Sequence, residues 1–83
     1  SAAEECHAMM DAGKTITGDL KPGDLIFYGN SNNGRYMGIY HVAIYVGRVN
    51  GVDKMVEARG TRWGVVYGDV RTANIVNISR PLM

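Results

Sequence analysis

The residues of this chain whose types could do nucleophilic chemistry are few: two histidines, one cysteine, and a glutamate inside an apolar stretch. His41 opens the hydrophobic run Ile39 to Gly47 (IYHVAIYVG), just after a polar, Gly- and Asn-rich loop. Glu57 interrupts Met55-Val56-Glu57-Ala58, where an unpaired carboxylate is costly. A His and a Glu on neighbouring strands make a base and its orienter. The carboxylate holds the imidazole in one tautomer and stabilises its protonated form. A lone strand histidine is ordinarily a satisfied structural residue, and Glu57 is what lifts His41 above that reading.

Register decides whether the two can meet. Side chains alternate between faces along a strand, so a one-residue slip moves Glu57 to the wrong side. An unbulged two-residue turn at Asn50-Gly51 does that. An odd-length turn, or a bulge between Gly47 and Lys54, instead sets Glu57 opposite Ala43 and diagonal to His41, within side-chain reach. The pairing chemistry therefore predicts one of those two irregularities.

The other candidates are weaker. Cys6 and His7 are adjacent on a predicted helix and point about 100° apart, so they do not form a nucleophile and base pair. A metal site from Cys6, His7 and Asp11 lacks further ligands, and no metal or other cofactor is expected. Cys6 lies past the free N–H groups of its helix start, and flanking Glu4 and Glu5 raise its thiol pKa. Arg59, Arg62 and Trp63 follow the Glu57 strand and are candidates to line a groove, with an Arg able to grip a substrate carboxylate in bidentate fashion; an ordinary solvated strand end is the alternative. Tyr36, Tyr40 and Tyr45 suit either ligand stacking or core packing. Asp24 reads as a turn cap rather than an acid.

These residues need a frame. Ser1 to Ala12 reads as a helix: Ser1 and Glu4 have capping-box spacing, and Gly13 is placed to end it in a left-handed conformation. Lys21-Pro22-Gly23-Asp24 reads as a turn. Strands are expected at Leu25–Tyr28, Ile39–Gly47, Met55–Arg59, near Gly64–Tyr67 and at Ile75–Ser79, with Pro81 closing the sheet. In the strongest strand, Val42, Ile44 and Val46 line one face; His41, Ala43 and Tyr45 line the other, less greasy one. The loop from Gly29 to Gly38 is long enough to wall a groove. One helix followed by about five antiparallel strands makes an α+β domain with a small curled sheet or barrel.

Composition bounds the function. Eighty-three residues make one small domain, 46% apolar and 20% charged, with a net charge of +1. That balance excludes a strongly basic protein recruiting nucleic acid or a membrane surface. No apolar run approaches the ~20 residues that span a bilayer. One cysteine excludes an internal disulfide framework. A chain this short buries only about 60–65% of its unfolded surface, which raises the expectation that part of the domain lies outside it.

Three blocks, Lys21-Pro22-Gly23-Asp24-Leu25-Ile26-Phe27-Tyr28, His41-Val42-Ala43-Ile44-Tyr45-Val46-Gly47 and Met55-Val56-Glu57-Ala58, resemble the NlpC/p60 cell-wall cysteine peptidases. The resemblance runs from about Ser1 to Leu82; the CHAP amidases share a weaker version of the first two blocks. It implies a papain-like fold, in which a helix carrying the nucleophile packs on a small antiparallel sheet. It implies His41 as the catalytic histidine, and Glu57 as the third polar residue, which is His in many members. It implies hydrolysis of peptide bonds in peptidoglycan stem peptides, commonly next to D-glutamate, and hence a secreted or wall-associated enzyme. The family's Asp-Cys-Ser-Gly type nucleophile motif does not occur in these residues, and Cys6 matches a segment one helix later. The expectation is that residues 1–83 form the C-terminal part of a single catalytic domain. Its nucleophile-bearing N-terminal part would then lie outside this sequence, in the same or a separate chain, and the isolated chain would be inactive. Two other readings remain at this point: a β-rich binding module or degenerate family member, and a CHAP-like amidase whose nucleophile, Cys6, would have to sit beside His41.

Overall fold

The computed structural model describes residues 1–30 and 38–83. Helix α1 spans Ala2–Asp11 and starts with the capping box read from the sequence. The Ser1 hydroxyl accepts from the Glu4 N–H, and the Glu4 side chain accepts from the Ser1 backbone amine. The helix closes as expected. Gly13 takes φ 71°, its N–H donates to Met10 O, and the Lys14 N–H reaches back to Met9 O.

Five strands follow: β1 (Leu25–Gly29), β2 (Ile39–Val49), β3 (Val52–Ala58), β4 (Val65–Asp69) and β5 (Ile75–Ser79), with a single helical turn, α2 (Gly60–Trp63), between β3 and β4. All pairings are antiparallel and the order is β4-β3-β2-β1-β5. The sheet is open rather than a closed barrel, because β4 and β5 are its two ends. The β5 edge is partly covered by the chain leaving α1: Arg80 N–H donates to Lys14 O and Ile16 N–H to Ile78 O. β2 and β3 each extend two or three residues further toward their shared turn than the apolar runs indicated. Arg48 and Asp53 belong to the ladder there, polar residues that a hydrophobic-run reading omits.

The expected division of faces is corrected. The face of His41, Ala43 and Tyr45 is the buried one: Ile26, Tyr28, Ala43, Tyr45 and Met55 form a core that Leu20, Val70 and Ile75 close. On the Val42 face, α1 packs against β2 and β5 and buries Ala3, Cys6, Phe27 and Ile39. Ile44 and Val46 on that same face remain exposed. The reason is reach: a ten-residue helix is about 15 Å long and spans roughly three strands. Across β3 and β4, Val65 and Tyr67 are exposed.

Asp24 caps its turn as read, accepting from the Lys21 N–H at 2.8 Å. It is also buried against Arg80, whose guanidinium donates to both carboxylate oxygens at 2.8 and 3.0 Å. That bond holds the Asp24 carboxyl below its usual range.

Candidate active site

The parity problem between His41 and Glu57 is solved by a bulge. Asn50 and Gly51 form a two-residue turn with positive φ at both positions, 51° and 79°, the mirror-image geometry favoured in hairpins. The pairs nearest the turn, Val49↔Val52 and Arg48↔Asp53, keep the register that would send Glu57 to the wrong face. The register then shifts between Tyr45 and Gly47, and the inner pairs become Tyr45↔Met55, Ile44↔Val56 and Ala43↔Glu57. The extra residue is Val46, so the irregularity lies just ahead of the Gly47–Lys54 segment where it was expected. Gly47 takes φ 117° beside it, a conformation strained for any side chain.

With Glu57 opposite Ala43, His41 Nε2 lies 2.5 Å from Glu57 Oε1. Glu57 is 5% exposed and His41 is partly buried. The carboxylate has a second partner that sequence reasoning missed. Arg71, in the β4–β5 connection, donates from Nη1 to Oε2 at 2.7 Å and from Nη2 to Oε1 at 2.8 Å. The Arg71 bonds, ahead of the His41 bond, overcome the desolvation cost and hold the Glu57 pKa down at about 2. Glu57 is therefore ionised at neutral pH and is an acceptor only. Nε2 of His41 must carry the proton between them, which leaves Nδ1 with a free lone pair in the neutral imidazole.

Tyr28 completes the cluster from β1, where it pairs with His41. Its hydroxyl donates to Arg71 O at 2.7 Å, its ring lies under the Arg71 guanidinium at 5.0 Å, and its centroid is 6.3 Å from that of His41. Burial, its largest influence, pushes the Tyr28 phenol up. One signal for Arg71 existed: a buried carboxylate demands a cation. Nine basic residues qualify, and no local pattern selects among them.

His41, Glu57 and Arg71 open on a cleft of ≈ 490 Å³ that Tyr40, Arg59 and Trp63 also line. Of the three groove candidates from the sequence, Arg59 and Trp63 line this cleft and Arg62 does not. Arg59 is exposed, and Trp63 carries the Arg62 guanidinium 5.0 Å from its ring. Tyr45 is not in this cleft; its hydroxyl donates to Asp53. Tyr36 and the body of the loop expected to wall a groove fall on residues 31–37, outside the described residues.

Cys6 does not join the site. It is fully buried among Ala3, Phe27 and Ile39. Phe27 and its partner Val42 alternate with Tyr28 and His41, so Cys6 lies on the other side of the sheet from the imidazole. Burial, then the charge of Glu5, pushes its thiol pKa up. This overturns the CHAP-like reading with Cys6 as nucleophile, because a sheet separates thiol and base. His7 Nε2 sits 2.9 Å from Asp11 Oδ2 on the exposed side of α1. Among the described residues no cluster of three His, Cys, Asp or Glu could hold a metal ion.

The NlpC/P60 family model matches residues 2–78. The chain belongs to this family. No curated protein and no solved structure matches it. NlpC/P60 membership makes hydrolysis of the cell-wall peptidase kind the activity to weigh against this geometry. No helix among the described residues is long and apolar enough to cross a membrane.

Proposed function

We propose that this NlpC/P60 chain supplies the histidine half of a papain-like cysteine peptidase site that cleaves peptide bonds of peptidoglycan stem peptides. The observation that carries the reading is the 2.5 Å contact of His41 Nε2 with an ionised, buried Glu57. In this arrangement His41 Nδ1 takes the proton of a cysteine thiol, and the thiolate attacks the scissile carbonyl. The resulting imidazolium returns that proton to the leaving amine nitrogen as the C–N bond breaks. Water then attacks the thioester, losing its proton to Nδ1, and the thiol leaves with that proton. Glu57 orients the ring throughout.

The nucleophilic cysteine comes from outside residues 1–83, in the same polypeptide or a separate one. Two features support this. Cys6 is the only cysteine and is sequestered. The apolar groove lined by Leu25, Val42, Ile44, Val56 and Val65, alongside α1, offers a packing surface for a further helix. Arg59 would hold a substrate carboxylate, and Trp63 would form an apolar wall of the cleft. A wall substrate places such an enzyme outside the cell or at the wall.

Native and then denaturing mass spectrometry, paired with a stem-peptide hydrolysis assay, tests the proposal. The 9.1 kDa chain alone should show no turnover. Assembled with a cysteine-bearing segment it should hydrolyse the peptide, and alkylation or His41→Ala should each lower the rate at least ~10³-fold. Turnover that survives His41→Ala refutes the assignment. Peptide binding without turnover in the cysteine-bearing assembly makes this chain a degenerate, binding member of its family.

A further inference from the structure

The orientation of Glu57 depends on a residue that no motif marks. We infer that Arg71 is a positioning residue of the proposed site: it clamps the Glu57 carboxylate so that Oε1 stays on His41 Nε2. The inference rests on the assignment of His41 and Glu57 above and deepens it.

A carboxylate at the end of a glutamate chain turns freely about its last torsion unless both oxygens are held. His41 holds one of them. Arg71 holds both, through two parallel N–H···O bonds whose planar fork fixes the carboxylate plane. The clamp is itself anchored. The Tyr28 ring lies under the guanidinium, the Tyr28 hydroxyl donates to the Arg71 carbonyl, and the neighbouring Val70 N–H donates to Asp53 O at 2.9 Å. Thus β2, through His41, and the β4–β5 connection, through Arg71, converge on one carboxylate, while Tyr28 of β1 and Asp53 of β3 anchor the segment that carries the arginine. The titratable and charged groups lining the same cleft are Tyr40, His41, Glu57, Arg59 and Arg71. Arg71 is the one whose guanidinium hydrogen-bonds Glu57. Arg71 lines the cleft and its side chain is 45% exposed.

The consequence is tautomeric. With both oxygens fixed, Nε2–H is the protonated position of neutral His41, and Nδ1 is the position left to take a proton. Without the fork, the His41 bond alone holds the carboxylate, and the imidazole divides more evenly between its two tautomers. A lysine cannot replace the fork, because it offers a point charge rather than two coplanar donors.

Imidazole 15N NMR of the 83-residue chain at a pH where His41 is neutral reads this directly. The wild-type spectrum should show the Nε2–H tautomer. Arg71→Gln and Arg71→Lys should each reduce the Nε2–H over Nδ1–H preference about fivefold, the equivalent of one net hydrogen bond, with backbone amide changes confined to the β4–β5 connection and the surroundings of Tyr28, His41 and Glu57. Arg71→Lys keeps the charge and carries the test if Arg71→Gln does not fold. Wild-type tautomer ratios in both variants, with folded spectra, would overturn the role of Arg71 and leave the His41–Glu57 pair standing. A wild-type spectrum dominated by Nδ1–H would instead overturn the pair itself. A purely structural Arg71 lowers stability but does not move the tautomer ratio.

Discussion

Replacing Glu57 by Gln removes one charge from the centre of the site and should make the cost depend on pH in a calculable way. Glu57 ordinarily titrates near 4.5 and is held down at about 2 in the folded chain, first by Arg71 and then by His41. The folded state therefore favours the ionised form. That stabilisation is fully present above pH 4.5 and is lost as pH falls through 2. The gap between the two values corresponds to about 3 kcal/mol. Solvent reaches the half-exposed Arg71, so this is an upper figure. Urea unfolding followed by circular dichroism should find Glu57→Gln less stable by about 2–3 kcal/mol at pH 7, a large share of what a domain this small holds in total. The difference should narrow below pH 4.5 and reach about 1–1.5 kcal/mol at pH 3, because wild-type Glu57 loses its advantage as the unfolded chain takes up its proton. Asp24 and Asp53 are also held low by their arginine partners, but they titrate alike in both proteins and cancel in the difference. A difference that stays constant from pH 7 to pH 3 would show that Glu57 is not held ionised. The assignment of the proton to Nε2 would fall with it.

Three further outcomes follow from particular contacts. Cys6 should resist iodoacetamide in the native chain and react at least ~100-fold faster in denaturant, read by mass spectrometry, since exposure requires opening the α1 packing. Asp24→Asn should cost about 2–4 kcal/mol in thermal unfolding at neutral pH, because Arg80 then faces an uncharged amide in a buried position. Deleting Val46 should remove the bulge and leave the inner pairs, Ala43↔Glu57 among them, in register; the His41 side-chain resonances should keep their contact with residue 57, and loss of that contact would refute Val46 as the extra residue.

Some of this molecule is legible residue by residue. Ser1 and Glu4 satisfy each other's backbone groups across three residues, and Gly13 can turn left-handed without strain, so α1 follows from local chemistry alone. The strands follow from β-branched and aromatic runs bounded by Gly, Pro and Asn. His41 and Glu57 stand out because each is a polar residue in an apolar strand, and a carboxylate there needs a partner. Their pairing also requires an odd-length turn or a bulge, expected between Gly47 and Lys54; the fold keeps a two-residue turn and uses a bulge, placed at Val46 just ahead of that segment.

The rest was decided in three dimensions. Which face of β2 is buried depends on what covers it, and the covers, Leu20 and Val70, come from segments remote in sequence. Cys6 is five residues from the chain start and 35 from His41 in sequence, and only the sheet between them shows that thiol and imidazole cannot react. Arg71 is 14 residues from Glu57 and Arg80 is 56 from Asp24, yet each is the cation that permits a buried carboxylate. Sequence alone determined which groups must be paired, because desolvation penalises any buried charge. Tertiary structure chose the partners, because a hydrogen bond forms only where separate strands and loops bring donor and acceptor within about 3 Å.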